Sequence, residues 1–397
     1  MNNILHKQWR EDIFELLSIP SFNSNGINDC ADYLYNQLNK IGLDVFIETE
    51  FGTPTIIART KNQAKKNILF YSHFDVKPTG DCSLWVTSPF EPTIKDERIY
   101  CRGSGDAKGQ VFALLKGIEK LINNNRLCSD LGISLILDGG EESGSVGLSK
   151  VCEKHAEFLN CNLIVILDSH WVQDNPLLGF GCRGQISFLT TFEESEFTND
   201  LHAGNYGGIV EGAASKMIKA INDFCKHDFI NDNFYRNSDN SKIFKPAISI
   251  CGINSGLIDR SIIPHKSICH IDMRLIDHDI NKINSFIVEF FENKGFKVDI
   301  RQQYSSFISK KDNAQIEALQ SVIKNVCNKE PLNIDYIGAY LPMEQLNALD
   351  VPIYVIPLAQ HDENNHSPNE NIKIKHILYG KDIIYNIFIE ILKICRY

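Results

Sequence analysis

Four short apolar runs, each ending in acids or a histidine, constrain this chain more than any other feature in it. Residues 133–137 (ISLIL) run into Asp138, Gly139 and Gly140, then into the adjacent pair Glu141 and Glu142. Residues 67–72 (NILFYS) end at His73 and Asp75, and residues 162–167 (NLIVIL) end at Asp168. Residues 352–359 (PIYVIPLA) lead into a polar loop with His361, Asp362, Glu363 and His366. Runs this short and rich in Ile, Leu and Val read as strands buried on both faces. They alternate with helical patterns, which predicts an α/β fold whose ligands bind beyond the carboxyl ends of the strands. Side by side, such strands would bring two histidines and several carboxylates together. Adjacent carboxylates raise each other's pKa unless a cation lies beside them. An imidazole–carboxylate set without cysteine suits Zn²⁺, Mn²⁺ or Co²⁺.

At 397 residues the chain is long for one core, so two domains are expected. The flanking pattern says where they divide. Helical periodicity at 9–17 and 28–41, strands at 45–48 and 55–59, and an amphipathic helix at 111–122 surround the first runs. From residue 184 the order changes to strand (184–193), helix (208–224), two strands (247–251 and 267–275), helix (281–293) and strand (296–301). That β-α-β-β-α-β order is ferredoxin-like. Helices at 315–325 and 374–395 then return to the first pattern. The expected architecture is a catalytic domain with a mixed, largely parallel sheet flanked by helices (1–180 and 303–397), interrupted by an α+β lid (181–302).

The formal charge of −10 argues against non-specific nucleic-acid binding, which needs clustered Lys and Arg to displace counterions. Residues 1–22 hold no signal-peptide core or cleavage site, and no apolar run reaches membrane-spanning length. Twelve cysteines without a C-x-x-C pair fit neither a disulfide framework nor a thiolate zinc site, and predict reduced thiols in a cytoplasmic protein. Residues 179–184 (GFGCRG) match a dinucleotide fingerprint, but a strand pattern follows where a helix is required.

Taken together, SHFDVKP (72–78), the loop of Trp85, Pro89 and Phe90, CRGSGDAKG (101–109), DGGEESGSVGL (138–148), LDSH (167–170), LHAGNYGG (201–208), SIIP (261–264), DMRL (272–275) and HSPNE (366–370) carry a resemblance. Across nearly the whole chain the sequence resembles the carboxypeptidase G, aminoacylase and carnosinase family of co-catalytic di-zinc metallopeptidases (clan MH), and most of all its dipeptidase branch. The resemblance implies two divalent ions, zinc first and manganese or cobalt as substitutes. His73 and Asp168 would hold one, Glu142 and His366 the other, and Asp106 would bridge them. Asp75 would orient His73. Glu141 would serve as general base and then protonate the leaving amine. A cis peptide after Asp106 is implied as well, as is a homodimer formed through the lid. His202 would reach the partner's site and stabilise the oxyanion. Arg274 would bind the substrate's terminal carboxylate, or else pair with Asp272 or Asp277; Asn254 and Ser261 would line the same pocket. The implied reaction is cleavage of an amide bond in a dipeptide or small peptide. A deacylase or deacetylase acting on an N-acyl amino acid or biosynthetic intermediate is the alternative. A catalytically silent binding protein would need a lost ligand or base, and none is lost.

One stretch departs from the branch. Its usual Arg-Glu-Gly-Gly-Ser-Ile-Pro loop is replaced by Tyr336-Ile337-Gly338-Ala339-Tyr340-Leu341-Pro342. An arginine and a serine give way to two phenols, with Tyr340 expected on the substrate-pocket wall. The substrate is therefore expected to be narrower: bulky, aromatic or lacking a free α-carboxylate.

Overall fold

A computed structural model of the chain describes residues 6–62, 64–234 and 243–395. The outermost residues of the expected first and last segments, and residues 235–242 of the expected lid, lie outside the described residues. The chain divides into two compact units: residues 6–181, 309–335 and 342–395 form the first, and 182–308 with 336–341 the second.

The first unit is built on an eight-stranded sheet. Its order is Asp44–Glu48, Thr55–Arg59, Leu131–Asp138, Lys66–His73, Cys161–Ile166, Ile353–Val355, Leu177–Gly179 and Leu332–Ile334. The four central strands, Leu131–Asp138 through Ile353–Val355, are mutually parallel. Antiparallel neighbours lie at Thr55–Arg59 and Leu177–Gly179. Strands buried on both faces must be apolar throughout, and Leu131–Asp138 is buried at every position. Helices Lys108–Asn123 and Ile374–Cys395 cover the sheet with Val111, Leu114, Ile118, Ile377, Ile384 and Phe388, all inside one hydrophobic core.

Because the central strands run the same way, their carboxyl ends share one edge. His73 and Asp138 are register partners there. Leu167 donates its amide to the carbonyl of Tyr71, which sets Asp168 beside them.

The second unit is a four-stranded antiparallel sheet in the order Ala247–Ser255, Lys266–Leu275, Gly184–Glu193, Lys297–Tyr304. Alternate residues Cys269, Ile271, Met273 and Leu275 face a core shared with Met217 and Phe224 of helix Ala213–Lys226 and Ile287 and Phe291 of helix Ile280–Glu292. This is the ferredoxin-like arrangement. The first of these helices begins later than its apolar pattern predicts. The glycines at 207 and 208 end a single turn, Ala203–Tyr206, with Gly208 at φ +80°, and the helix starts only after Gly212.

Candidate metal centre

Each side chain of the centre hangs from a strand end or from a loop fixed by buried hydrogen bonds. His73 closes its strand fully buried, with Nδ1 3.0 Å from the carbonyl oxygen of Asp75. A carbonyl only accepts, so Nδ1 carries the proton and Nε2 faces the acids. Nε2 lies 2.9 Å from Asp106 Oδ1 and 3.7 Å from Asp168 Oδ2. The Asp75 carboxylate is 3.4 Å from the same ring. It also accepts the amide protons of Glu141 (3.2 Å) and Glu142 (3.0 Å), tying the two glutamates to the neighbouring strand.

Asp106 is buried in the turn before helix Lys108–Asn123, and its peptide bond to Ala107 is cis. It does not cap that helix. Its second oxygen, Oδ2, lies 3.0 Å from His366 Nε2, and the same nitrogen is 3.2 Å from Glu142 Oε2. His366 sits in a loop bent by three left-handed residues, Asn364, His366 and Asn369.

Two groups of potential ligand atoms result: His73, Glu141 and Asp168 in one, and Asp106, Glu142 and His366 in the other, the atoms of each within 4.8 Å of one another. Asp106 touches both imidazoles, one with each oxygen. Five carboxylates crowd around two imidazoles, and that crowding shifts the protonation equilibria of the group. Burial, joined by the charges of Asp106 and Glu142, pushes Asp168 up to about 7 despite His73. Burial and the neighbouring acids likewise raise Glu141 well above the usual carboxylate range, with His73 opposing them. Burial would depress His73, and partial desolvation the half-exposed His366, but their carboxylate partners overcome both, and His366 is raised to about 10. Glu142 Oε1 is buried with no hydrogen-bond partner among the described residues. An acidic surplus, an orphaned carboxylate oxygen and hard donors in both groups fit two divalent cations.

Several further residues hold the centre in place beside the expected site residues. Glu370 accepts the amides of Gly105 (2.9 Å) and Asp106 (3.0 Å) and pairs with buried Arg102 at 2.7 Å. Asp138 accepts from Ser145 (2.7 Å), Tyr71 (3.2 Å) and the Gly140 amide (2.9 Å), fixing the loop that presents Glu141. Lys77 reaches Glu142. All but Tyr71 lie inside the motif segments, which is the signal that could have singled them out.

The other predicted residues belong to the second unit. His202 is exposed, and its Nδ1 accepts from the Gly204 amide at 3.1 Å. Arg274 is engaged with Asp272, at 2.7 Å from Nε and 3.3 Å from Nη2. Asn254 is exposed on the edge strand, and Ser261 is exposed with its carbonyl bound by the Ala203 amide. Tyr340 stacks on Tyr304 with ring centroids 4.1 Å apart, and Tyr336 donates to Asp277 at 2.6 Å.

Strand ends of the central sheet and the loops beside them thus bring together two donor groups that fit a dinuclear metal centre. Residues 69–390 match the model of Peptidase family M20/M25/M40, and the chain belongs to that family. It is 24% identical to the "Probable di- and tripeptidase DUG2" of Saccharomyces cerevisiae over 92% of its own length but only 48% of that protein's. It is 25% identical to the Cys-Gly metallodipeptidase DUG1 of Candida albicans, covering 95% of this chain and 93% of that one. Among solved structures, the M20 family metallo-carboxypeptidase Sso-CP2 from Sulfolobus solfataricus superposes with a TM-score of 0.82 at 23% identity, over 98% of this chain and 100% of that one. That last likeness speaks to the fold.

Proposed function

We propose that the protein hydrolyses the amide bond of dipeptides or small peptides with a water held between two divalent cations, zinc in the cell. The observation that carries this reading is Asp106, whose two oxygens meet two imidazoles at 2.9 and 3.0 Å. His73 and Asp168 would hold one ion, Glu142 and His366 the other, and Asp106 would serve both. Bound there, the ions would lower the pKa of a shared water and polarise the scissile carbonyl. Glu141 lies in the shallow turn beside Glu142, its backbone pinned by Asp75. We assign it the proton from that water and the return of the proton to the leaving amine. A carboxylate left out of the ligand set but next to a ligand has the reach to take that proton. The names of the relatives, di- and tripeptidase and Cys-Gly metallodipeptidase, support dipeptides as the substrate class. His202 as oxyanion donor, and Arg274, Asn254, Ser261 and Tyr340 as substrate contacts, are proposed from the family resemblance. Homodimerisation and a cytoplasmic setting are proposed with them.

Zinc- or manganese-loaded protein should be assayed on dipeptides beside N-acetyl amino acids, with Glu141→Gln as the variant. Turnover of dipeptides should exceed that of N-acetyl amino acids, and Glu141→Gln should lower it by at least about a hundredfold with both ions retained. Loss of an ion in Glu141→Gln would make Glu141 a ligand instead. Unchanged turnover would remove the mechanism.

A further inference from the structure

The two donor groups are not electrically alike. Among the described residues, no lysine or arginine forms an ion pair with Glu141 or Asp168. The Asp106, Glu142 and His366 group has such a cation: Lys77 Nζ lies 3.1 Å from Glu142 Oε2, an oxygen that His366 also approaches at 3.2 Å. The same ammonium donates to the backbone carbonyl of Glu142 at 2.5 Å. Lys77 follows Asp75 by two residues, and the Asp75 carboxylate holds the amides of Glu141 and Glu142. The ammonium is therefore tethered to Glu142 from its own backbone and through the glutamate's carbonyl. A cation arriving at this group, even at the unpartnered Oε1, meets a carboxylate whose other oxygen is already paired with a fixed positive charge.

We infer that Lys77 makes the Glu142 and His366 half of the centre the weaker, exchangeable cation site. It leaves the His73 and Asp168 half to bind first. This rests on the dinuclear reading above. Lys77 is here a positioning residue: it acts on the ion through Glu142 and takes no part in bond breaking. The consequence is a hydrolase whose turnover follows the free divalent-cation concentration over the range that fills the second site. The side chain is 32% exposed, so added salt should narrow the difference between the sites.

The test is a competitive Zn²⁺ titration against a chromophoric chelator, using chelator-stripped full-length wild type, Lys77→Met and Lys77→Arg. Wild type should bind two ions in separated steps. Lys77→Met should tighten the weaker step by about tenfold or more, since a like charge beside a cation disfavours binding, and leave the tighter step within about threefold. Lys77→Arg, which keeps the charge, should stay close to wild type. Thermal unfolding of the stripped proteins checks that the variants fold; should Lys77→Met fail, Lys77→Gln takes its place. Two steps in wild type that Lys77→Met leaves unmoved, or shifts equally, would overturn the role of Lys77 alone. A wild type that binds fewer than two ions would overturn the dinuclear reading and this inference with it.

Discussion

Asp106 can offer one oxygen to each imidazole because the backbone on its N-terminal side is clamped by Glu370. That carboxylate takes two successive amides on one oxygen and the Arg102 guanidinium on the other, all out of solvent. Arg102 lies over the Trp85 ring, 5.3 Å from its centroid, so removing its anion strands a buried charge. Glu370→Ala should therefore cost about 3–5 kcal/mol of unfolding free energy, read by urea denaturation of chelator-stripped protein. A loss below about 1 kcal/mol would mean that solvent or another acid replaces the pair. Gly105 completes the clamp, since a Cβ there would fall 2.1 Å from Glu363 Oε2. The residues at strand ends were legible in the sequence because each interrupts an apolar run. Arg102 and Glu370 were not, because they are 268 positions apart and neither stands at the end of a run. Pairing across such a distance is fixed by the fold, and no local spacing encodes it.

Among elements, the parallel strands follow from their apolar runs, while lengths and ends follow from hydrogen bonding. The run at 352–359 gives a strand of only three residues, Ile353–Val355. Beyond it the Leu358 amide is taken by Gln110 Oε1 at 2.9 Å and the Trp171 indole donates to the Pro357 carbonyl at 3.0 Å, so side chains replace a neighbouring strand. The late start of helix Ala213–Lys226 has a similar origin in glycine-rich turns that an apolar count ignores. The C-terminal helix carries a testable titration. His376, in its first turn, is packed on Trp171 at 4.4 Å between ring centroids and bonded to the Leu358 carbonyl at 2.9 Å. Burial foremost, aided by Lys373 and Lys375, pulls its pKa down to about 4 from the ordinary 6.5. The fold thus holds the neutral ring. Its contribution is whole above about pH 6.5 and is lost as pH falls through about 4, roughly 3 kcal/mol in all. His376→Gln should flatten the stability profile between those limits in chelator-stripped protein. An unchanged slope would place the titration elsewhere.

For the molecule as a whole, no helix among the described residues is long and apolar enough to cross a membrane, and no disulfide joins the cysteines among them. The second unit leaves the strand Ala247–Ser255 at the edge of its sheet, with Ile250 40% and Ile253 52% exposed and Leu257 and Ile258 exposed just beyond. An unpaired edge with apolar side chains is a ready surface for a second strand, which supports the proposed dimer. Light scattering should return about twice the 45.0 kDa chain mass, and Ile253→Lys should return the monomer. A monomeric wild type would contradict the proposal. The two-unit division was legible because the ferredoxin-like order breaks the α/β pattern. The inclusion of Tyr336–Leu341 in the second unit was not, since no periodicity marks a six-residue return; Arg183, bonded to the Gly338 carbonyl at 2.9 and 2.7 Å, helps to hold it there together with the Tyr336–Asp277 bond and the Tyr340–Tyr304 stack.

Crystals of the zinc-loaded protein, measured on either side of the zinc absorption edge, test the central claim most directly. Two anomalous peaks should flank Asp106, one within bonding distance of His73 and Asp168 and the other of Glu142 and His366. A single peak, or two peaks of which neither touches Asp106, would contradict it.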